Sequence, residues 1–131
     1  MRYFPGLYYP MNRGCYGKGL MAYHDPVVVE ALLDKQEFEP LTSRTLIRKE
    51  DILKEYQRIR EQGYVVSKGE WADYIYGVGV PIKNRSGKVV ACVALSFIRG
   101  SKDSDEETDQ KCMELLSILQ EYAPEFTRYL L

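Results

Sequence analysis

The sequence predicts an α+β domain in which helices pack against an antiparallel sheet. The first indication is a pair of segments, 26–36 and 49–62, in which apolar residues recur at helical spacing. The second is a pair of β-branched segments, 74–83 and 88–98, which are joined by the turn sequence Asn-Arg-Ser-Gly. Two strands joined by so short a turn run antiparallel. The third is the length of 131 residues, which is typical of one domain with one core.

The composition is typical of a globular chain and excludes several classes of protein. Hydrophobic residues make up 45% and charged residues 28%, which argues against intrinsic disorder. The 18 basic and 19 acidic side chains leave a net charge of −1, so a self-sufficient DNA-binding protein is not expected. No segment approaches the roughly 18 apolar residues of a membrane span, and residues 1–10 do not resemble a signal peptide. We therefore expect a cytoplasmic protein that makes no membrane contact.

Two helices are predicted in the first third of the chain. Residues 13–23 contain three glycines, which we expect on a closely packed helix face because an interior glycine otherwise destabilises a helix by about 1 kcal/mol. Asp25 followed by Pro26 is a favourable N-cap and first-turn pair, so a second helix is predicted at 26–36. The residues expected on its core-facing stripe are Val27, Val28, Ala31 and Leu32.

The third predicted helix, 49–62, begins with acidic residues and is followed by Gly63, a residue that favours helix ends. The residues expected on its apolar face are Ile52, Leu53, Tyr56, Ile59 and Arg60. Strands are predicted near residues 64–69, 74–83 and 88–98, with the hairpin turn from Asn84 to Gly87. Residues 1–12 are interpreted as an extended segment or an edge strand.

The last helix is predicted near 105–122, with Ser104 or Asp105 as its N-cap. The residues that show its helical spacing are Met113, Leu116, Leu119 and Gln120. Pro124 is expected to kink or interrupt this helix, because proline lacks a backbone N–H.

The reactive side chains do not form a recognisable catalytic or metal-binding pattern. Cys15, Cys92 and Cys112 lack Cys-x-x-Cys spacing and His24 is the only histidine, so neither a disulfide framework, a metal site nor a cofactor is predicted. The glycine-rich sequence around Lys18 lacks the first glycine and the Ser or Thr of a phosphate loop. Cys15 could act as a thiolate with His24 as its base, but their helical separation would place them about 180° apart.

The turn before the second strand carries a candidate binding residue. It brings together Glu70, Trp71, Asp73 and Tyr74. Such a mixture suits the rim of a ligand pocket, and it equally suits a polar loop anchored by one tryptophan. Trp71 is therefore a candidate ligand-binding residue, with both interpretations open.

Four segments together resemble the effector-binding domain of IclR-type bacterial transcriptional regulators. They are PMNRGCYGKGLMA (10–22), TSRTL (42–46), LKEYQRIREQGYVVSKGEW (53–71) and GVPIKNRSGKVVACVALS (79–96), in the family's order and at about its spacing. The resemblance implies a GAF- or PAS-like sensor that spans residues 1–131. It also implies that a winged helix-turn-helix domain, a linker helix and the first sheet strands are missing. We therefore expect an N-terminally truncated domain whose protein contacts DNA only through a domain absent from this chain.

The resemblance further implies where a small-molecule effector binds. In members that bind small oxo-acids, the pocket positions correspond here to Cys15, Tyr16, Ser67, Gly77, Ala94 and Ser96. Only Ser96 keeps a polar group of the family's kind, so a neutral or aromatic effector is expected in place of a small oxo-acid. Trp71, Tyr74 and Tyr76 are expected near the pocket mouth, where aromatic faces stack on a ring.

The sequence thus predicts the effector-binding and oligomerisation domain of a transcriptional regulator, with no catalytic residues. Members of the family form dimers and pair those dimers, so a homo-oligomer is expected. Two alternatives remain open from the sequence. One is a GAF-like thiol redox enzyme that uses Cys15, and the other is a purely structural dimerisation module.

Overall fold

Within residues 10–130, the part of the chain that the computed structural model describes, four helices flank a three-stranded antiparallel sheet. The elements in chain order are α1 (Cys15–Met21), α2 (Pro26–Asp34), α3 (Lys49–Gln62), β1 (Val65–Lys68), β2 (Ile75–Lys83), β3 (Val89–Ile98) and α4 (Asp105–Thr127). The strands lie in the order β1-β2-β3. None of the helices in the described range is long and apolar enough to cross a membrane. The predicted leading strand at 1–12 falls mostly outside the described residues.

The hairpin between β2 and β3 forms at the predicted turn. The N–H of Asn84 donates to the carbonyl oxygen of Lys88 at 2.8 Å, and the Asn84 Oδ1 accepts the N–H of Lys88 at 3.0 Å. Gly87 has φ 86°, a conformation that glycine adopts without strain. The resulting register pairs Gly77 with Ser96, two residues of the predicted ligand site.

The two faces of β2 differ, and this difference positions the functional site. Large side chains of β2 pack in the cluster that includes α4: Tyr76, Val78, Val80 and Ile82. Gly77 and Gly79 alternate with them and face α1. A Cβ added at Gly79 would lie 3.2 Å from the Cβ of Cys15. The two glycines therefore allow α1 to lie directly on the sheet.

The glycines of α1 confirm the predicted close packing. A Cβ added at Gly17 would lie 1.7 Å from the carbonyl oxygen of Pro10, and one at Gly19 would lie 2.9 Å from the sulfur of Cys92. Gly14 is the N-cap, with φ 78°. Because this backbone conformation is not helical, α1 begins later than predicted.

The helix α2 turns a different side to the core from the predicted one. The structure buries Val29 and Leu33. The predicted stripe is exposed and consists of Val27, Val28, Ala31 and Leu32. That prediction was wrong because α2 is apolar around most of its circumference, so periodicity alone does not identify the buried side. Packing in the cluster that contains Met11 and Ile52 determines which side is buried.

The helices α3 and α4 follow their predicted positions with two differences in α4. The apolar face of α3 buries Ile52, Tyr56 and Ile59, with Leu53 half-buried and Arg60 exposed. In α4 the buried face consists of Thr108, Cys112, Leu116 and Leu119, whereas Met113 and Gln120 are exposed. The helix also continues through Pro124 to its end at Thr127. Pro124 is exposed, so solvent can hydrate the carbonyl that loses its N–H partner.

Candidate functional site

A cavity of about 190 Å³ lies between the N-terminal end of α1 and the glycine face of the sheet. Its lining includes every residue predicted to bind ligand: Cys15, Tyr16, Ser67, Trp71, Gly77, Ala94 and Ser96. The remaining lining residues are Arg13, Gly14, Ile75 and Tyr76. The structure therefore brings residues from α1, the three strands and the turn after β1 into one place.

Gly77 forms part of the cavity wall because it has no side chain. A Cβ added there would lie 3.3 Å from both the sulfur of Cys15 and the hydroxyl oxygen of Ser96. It would also lie 3.2 Å from the carbonyl oxygen of Leu95. These are tight contacts, so a larger side chain at position 77 would fill the space between α1 and β3.

A buried ion-pair network adjoins two residues of the cavity lining, Gly14 and Ser67. The Nζ of Lys18 donates to Glu70 Oε2 at 2.7 Å, to Glu55 Oε2 at 2.8 Å and to the carbonyl oxygen of Val66 at 2.9 Å. Lys18 is fully buried. Burial by itself lowers the pKa of Lys18, but the attraction of Glu70 and Glu55 outweighs burial, so the pKa is raised. The ammonium group therefore stays charged inside the protein.

Glu70 connects this network to the cavity. Its Oε1 accepts the backbone N–H of Gly14 at 2.9 Å and the hydroxyl of Ser67 at 3.1 Å. Both donors belong to residues that line the cavity, and both are directed to Glu70. The carboxylate thus holds the N-terminal end of α1 against the end of β1.

Arg13 and Trp71 form the rim of the cavity. The guanidinium carbon of Arg13 lies 4.4 Å from the centre of the Trp71 ring, which is a cation–π contact. The Nε of Arg13 is buried and has no hydrogen-bond partner among residues 10–130. Burial lowers the pKa of Arg13, and Glu39 partly opposes this effect.

The two tyrosines predicted near the mouth do not present their rings to the cavity. Tyr74 is exposed and is not part of the lining. Tyr76 contributes to the lining, but its ring packs against Phe97 with the centroids 5.9 Å apart, on the α4 side of the sheet. Its hydroxyl accepts hydrogen bonds from Arg44 and Arg99. Strand alternation explains the difference, since Tyr76 and Gly77 face opposite sides of β2.

The thiols near the cavity lack the properties of a redox nucleophile. Burial raises the pKa of Cys15 to about 12 and the pKa of Cys92 to about 11. Both are therefore protonated thiols at neutral pH, and the thiolate is the reactive form. His24, the base considered in the sequence analysis, is exposed and lies beyond the end of α1. Within residues 10–130, no group of His, Cys, Asp and Glu side chains could hold a metal ion.

The family described as "Bacterial transcriptional regulator IclR C-terminal" matches residues 1–125 of the chain. This chain belongs to the IclR C-terminal family. The HTH-type transcriptional regulator KdgR of Dickeya chrysanthemi is 32% identical over 100 residues, a match that covers 75% of this chain and 33% of KdgR. The family resemblance in the sequence is thereby confirmed. The relatives that match the chain are transcriptional regulators.

Solved structures of the IclR family have the same fold. The Thermotoga maritima IclR matches with a TM-score of 0.77 and 27% identity, over 98% of this chain and 52% of that one. The C-terminal domain of the Escherichia coli regulator KdgR matches with a TM-score of 0.71 and 27% identity, over 90% of this chain and 71% of that domain. These matches confirm the predicted α+β class. The chain spans about a third of the length of the curated KdgR relatives that it matches.

Three residues that line or adjoin the cavity of this IclR-type domain are not among the predicted site residues. Arg13 stands at the start of the helix predicted over residues 13–23, and its residue type alone does not indicate that it lines the cavity. From the sequence, Lys18 belongs to a glycine-rich segment that does not match a phosphate loop, and Glu70 belongs to a polar turn. One signal in the sequence does point to the ion pair. Lys18 lies between two glycines of a helix predicted to pack closely, so its side chain is expected to be buried and to need an acidic partner.

Proposed function

We propose that this IclR-type domain binds a small-molecule effector in the 190 Å³ cavity and forms part of a cytoplasmic transcriptional regulator. In this proposal residues 1–131 are an effector-binding domain, and DNA contact belongs to a domain elsewhere in the regulator. The domain itself performs no catalysis.

One observation carries the proposal. Residues chosen from the family resemblance, together with Trp71 from the turn, line a single cavity although they lie up to 81 positions apart, from Cys15 to Ser96. Its volume exceeds that of an apolar cavity that accepts benzene, and its concave, largely apolar wall is typical of a ligand pocket. A charged groove of about 530 Å³ between α3 and α4 is larger, but it lies open along the edge of β1 and lacks the predicted residues.

Thermal unfolding of the chain with a panel of small organic acids, sugars and aromatic compounds tests the proposal. A ligand that binds only the folded state raises the melting temperature. We expect at least one compound to do so in the natural chain and to lose its effect in Gly77→Val, which fills the cavity. Ser96→Ala, which removes one polar group of the lining, is a milder variant and should weaken the effect, and Lys83→Ala, at the exposed end of β2, is the matched control.

The two other interpretations predict different results. For a purely structural module, no compound would raise the melting temperature of the natural chain or of Gly77→Val. A thiol redox enzyme would turn over an oxidised substrate and lose that activity in Cys15→Ala, which the raised pKa of Cys15 argues against.

We further propose that the domain forms a homo-oligomer. An apolar stripe on α4 faces solvent and consists of Ile118, Tyr122 and Phe126. These residues are four positions apart and so follow one side of the helix. Burial of this stripe against a second copy would remove it from water.

Sedimentation of Tyr122→Glu at high concentration tests this association. We expect the natural chain to sediment as an oligomer and Tyr122→Glu to dissociate. Val27→Glu, which changes the exposed face of α2, is the control and is expected to remain associated. A natural chain that stays monomeric would contradict the proposal.

A further inference from the structure

A second cluster of charged side chains lies on the α4 side of the sheet, opposite α1. Its centre is the hydroxyl of Tyr76, which accepts hydrogen bonds from the guanidinium groups of Arg44 and Arg99. Both guanidinium groups also lie near the Tyr76 ring, with their carbon atoms 5.9 Å and 5.6 Å from its centre. Arg44 precedes α3 and Arg99 follows β3, so the two arginines come from separate segments. One hydroxyl therefore brings two cations close together.

Arg44 is the member of this pair that lacks an acidic partner. Arg99 Nη2 lies 2.8 Å from Asp105 Oδ1, so the charge of Arg99 is balanced. Arg44 is exposed, and it forms no ion pair with any residue between 10 and 130. The neutral hydroxyl of Tyr76 holds Arg44 in place but does not balance its charge. An anion beside the two guanidinium groups would balance it.

The charges around this cluster leave one positive charge in excess. The cluster opens into two adjoining cavities of about 290 Å³ and 530 Å³, which share Arg44, Lys68 and Asp109 in their walls. Within the described part of the chain, the walls carry four carboxylates, and each pairs with a cation: Glu55, Glu70, Asp105 and Asp109. The cations in or paired with these walls exceed them by one: Lys18, Arg44, Arg58, Lys68 and Arg99.

Further acidic residues near the start of α4 lie outside both cavities. They are exposed to water, which screens their charges: Asp103, Glu106 and Glu107. The excess positive charge therefore belongs to the walls themselves, at Arg44.

The arrangement of donors fits a phosphate group. Arg44 uses one N–H of its guanidinium group in the contact with Tyr76, so its other N–H groups are available to a ligand. The side chain of Arg99 is 20% exposed and reaches the same place from the connection between β3 and α4. A phosphate monoester has three terminal oxygens and can accept from two guanidinium groups at once, whereas a carboxylate is matched by one planar fork. The convergence of two arginines therefore favours phosphate.

The larger cavity beside the cluster defines the rest of the ligand. Its walls offer polar groups that can exchange hydrogen bonds with hydroxyl groups, among them those of Glu55, Gln62 and Asp109. Its volume of about 530 Å³ lies within the range of small-molecule sites. A sugar has several hydroxyl groups and matches such walls. Because the two cavities share Arg44, a phosphate bound there can carry its sugar into the larger cavity.

We propose that Arg44 binds the phosphate group of a small phosphorylated sugar, with the sugar in the 530 Å³ cavity. Arg99 supplies the second guanidinium group, and the Tyr76 hydroxyl positions both arginines. Among the described residues, the lining of this site shares only Tyr76 with the effector cavity. It is a second small-molecule site, and it does not depend on the proposed effector-binding function.

Calorimetric titration of the chain at low ionic strength tests the inference, because salt screens exposed charges. The probes are ribose 5-phosphate, ribose, inorganic phosphate and a short DNA duplex, which separate a sugar phosphate from its parts and from a nucleic-acid backbone. Arg44→Gln removes the charge, and Arg44→Lys keeps it without the planar group. Tyr76→Phe removes only the shared hydroxyl. Arg85→Gln, in the exposed hairpin turn, is the matched control, and Ser96→Ala changes the effector cavity.

We expect ribose 5-phosphate to bind more tightly than inorganic phosphate, and ribose not to bind measurably. Arg44→Gln should weaken the binding of ribose 5-phosphate by about 10-fold or more, since it removes charge-assisted hydrogen bonds. Its melting temperature should match that of the natural chain, because Arg44 is exposed. Arg44→Lys should recover part of the affinity, and Tyr76→Phe should weaken binding by a smaller factor than Arg44→Gln. Arg85→Gln and Ser96→Ala should bind as the natural chain does.

Several results would overturn the inference. Failure of ribose 5-phosphate to bind the natural chain, or equal binding to Arg44→Gln, would remove the site. An equal loss in Arg85→Gln would mean non-specific attraction between charges. Inorganic phosphate that binds as tightly as ribose 5-phosphate would contradict the place given to the sugar, and tighter binding of DNA that is lost in Arg44→Gln would assign the arginines to a nucleic-acid backbone. The proposed effector-binding function would stand in each case, because these probes are not directed at the cavity between α1 and the sheet.

Discussion

Lys18 and Glu70 form an ion pair inside the protein, with Lys18 Nζ 2.7 Å from Glu70 Oε2. The side chain of Lys18 is 0% exposed and that of Glu70 is 8% exposed. The pair joins α1 to the turn after β1, and both segments contribute residues to the cavity lining. Its geometry therefore helps to position the walls of the cavity.

Replacement of Lys18 tests the energetic importance of this pair. Lys18→Met should reduce the free energy of unfolding by about 3–5 kcal/mol, because it leaves the buried carboxylate of Glu70 without its cation. Denaturant unfolding measures the change. Lys35→Met, at the exposed end of α2, is the control and should alter stability by less than about 0.5 kcal/mol. Equal stability of the two variants would show that the pair is not buried as described.

The hydroxyl of Tyr56 is a second buried polar contact whose loss can be measured. It donates to the carbonyl oxygen of Met11 at 2.6 Å, in the segment that leads to the cavity rim. Tyr56→Phe should lower the free energy of unfolding by about 1–3 kcal/mol because that buried acceptor loses its donor. Tyr122→Phe, on the exposed side of α4, provides the comparison and should have little effect. A loss of the same size in both variants would contradict the assignment.

Stability should decline in alkaline solution, and Cys15 should contribute to the decline. Burial raises the pKa of Cys15 from 9.0 to about 12, so the folded chain holds this proton more tightly than the unfolded chain does. The contribution to stability is therefore complete below pH 9 and is lost as pH rises towards 12. The pKa of Lys18 is raised as well. Its contribution to the free energy of unfolding is therefore lost as pH rises above 10.5, the ordinary pKa of a lysine.

Denaturant unfolding across this alkaline range distinguishes the groups. Cys15→Ala should show a shallower decline of stability above pH 9 than the natural chain. His24→Ala changes an exposed side chain and should leave the slope unaltered. Parallel declines in the natural chain and in Cys15→Ala would mean that Cys15 titrates normally.

Gly14→Ala tests the contact between the start of α1 and the cavity rim. Gly14 has φ 78°, and an added Cβ would lie 2.5 Å from Trp71 Nε1. The variant should lose about 1–3 kcal/mol of stability and shift the fluorescence of Trp71. Gly63→Ala is a matched control, because Gly63 has φ 83° but an added Cβ there meets nothing within 4 Å. Gly63→Ala should lose stability through backbone strain alone. An equal fluorescence shift in both variants would exclude a contact between position 14 and Trp71.

Much of the fold follows from local sequence signals. The β2–β3 hairpin was predicted from the Asn84–Gly87 turn, and α3 from its apolar spacing and the glycine that follows it. These features depend on short-range physics: turn residues adopt particular backbone angles, and helices need caps and one apolar face. Local signals failed where a helix is apolar on several sides, as in α2, or where an exposed proline is tolerated, as in α4.

Six of the predicted site residues came from the resemblance to a family and Trp71 came from the composition of the turn after β1, and all of them line one cavity. The sequence by itself determined which residues take part in strands, turns and helix ends, since those choices depend on neighbours along the chain. Only the tertiary structure decided that Arg13 stacks on Trp71, 58 positions away, and that Lys18 pairs with Glu70. Long-range electrostatic pairing leaves no periodic trace in a sequence, because it depends on which surfaces the packing of α1 on the sheet brings together.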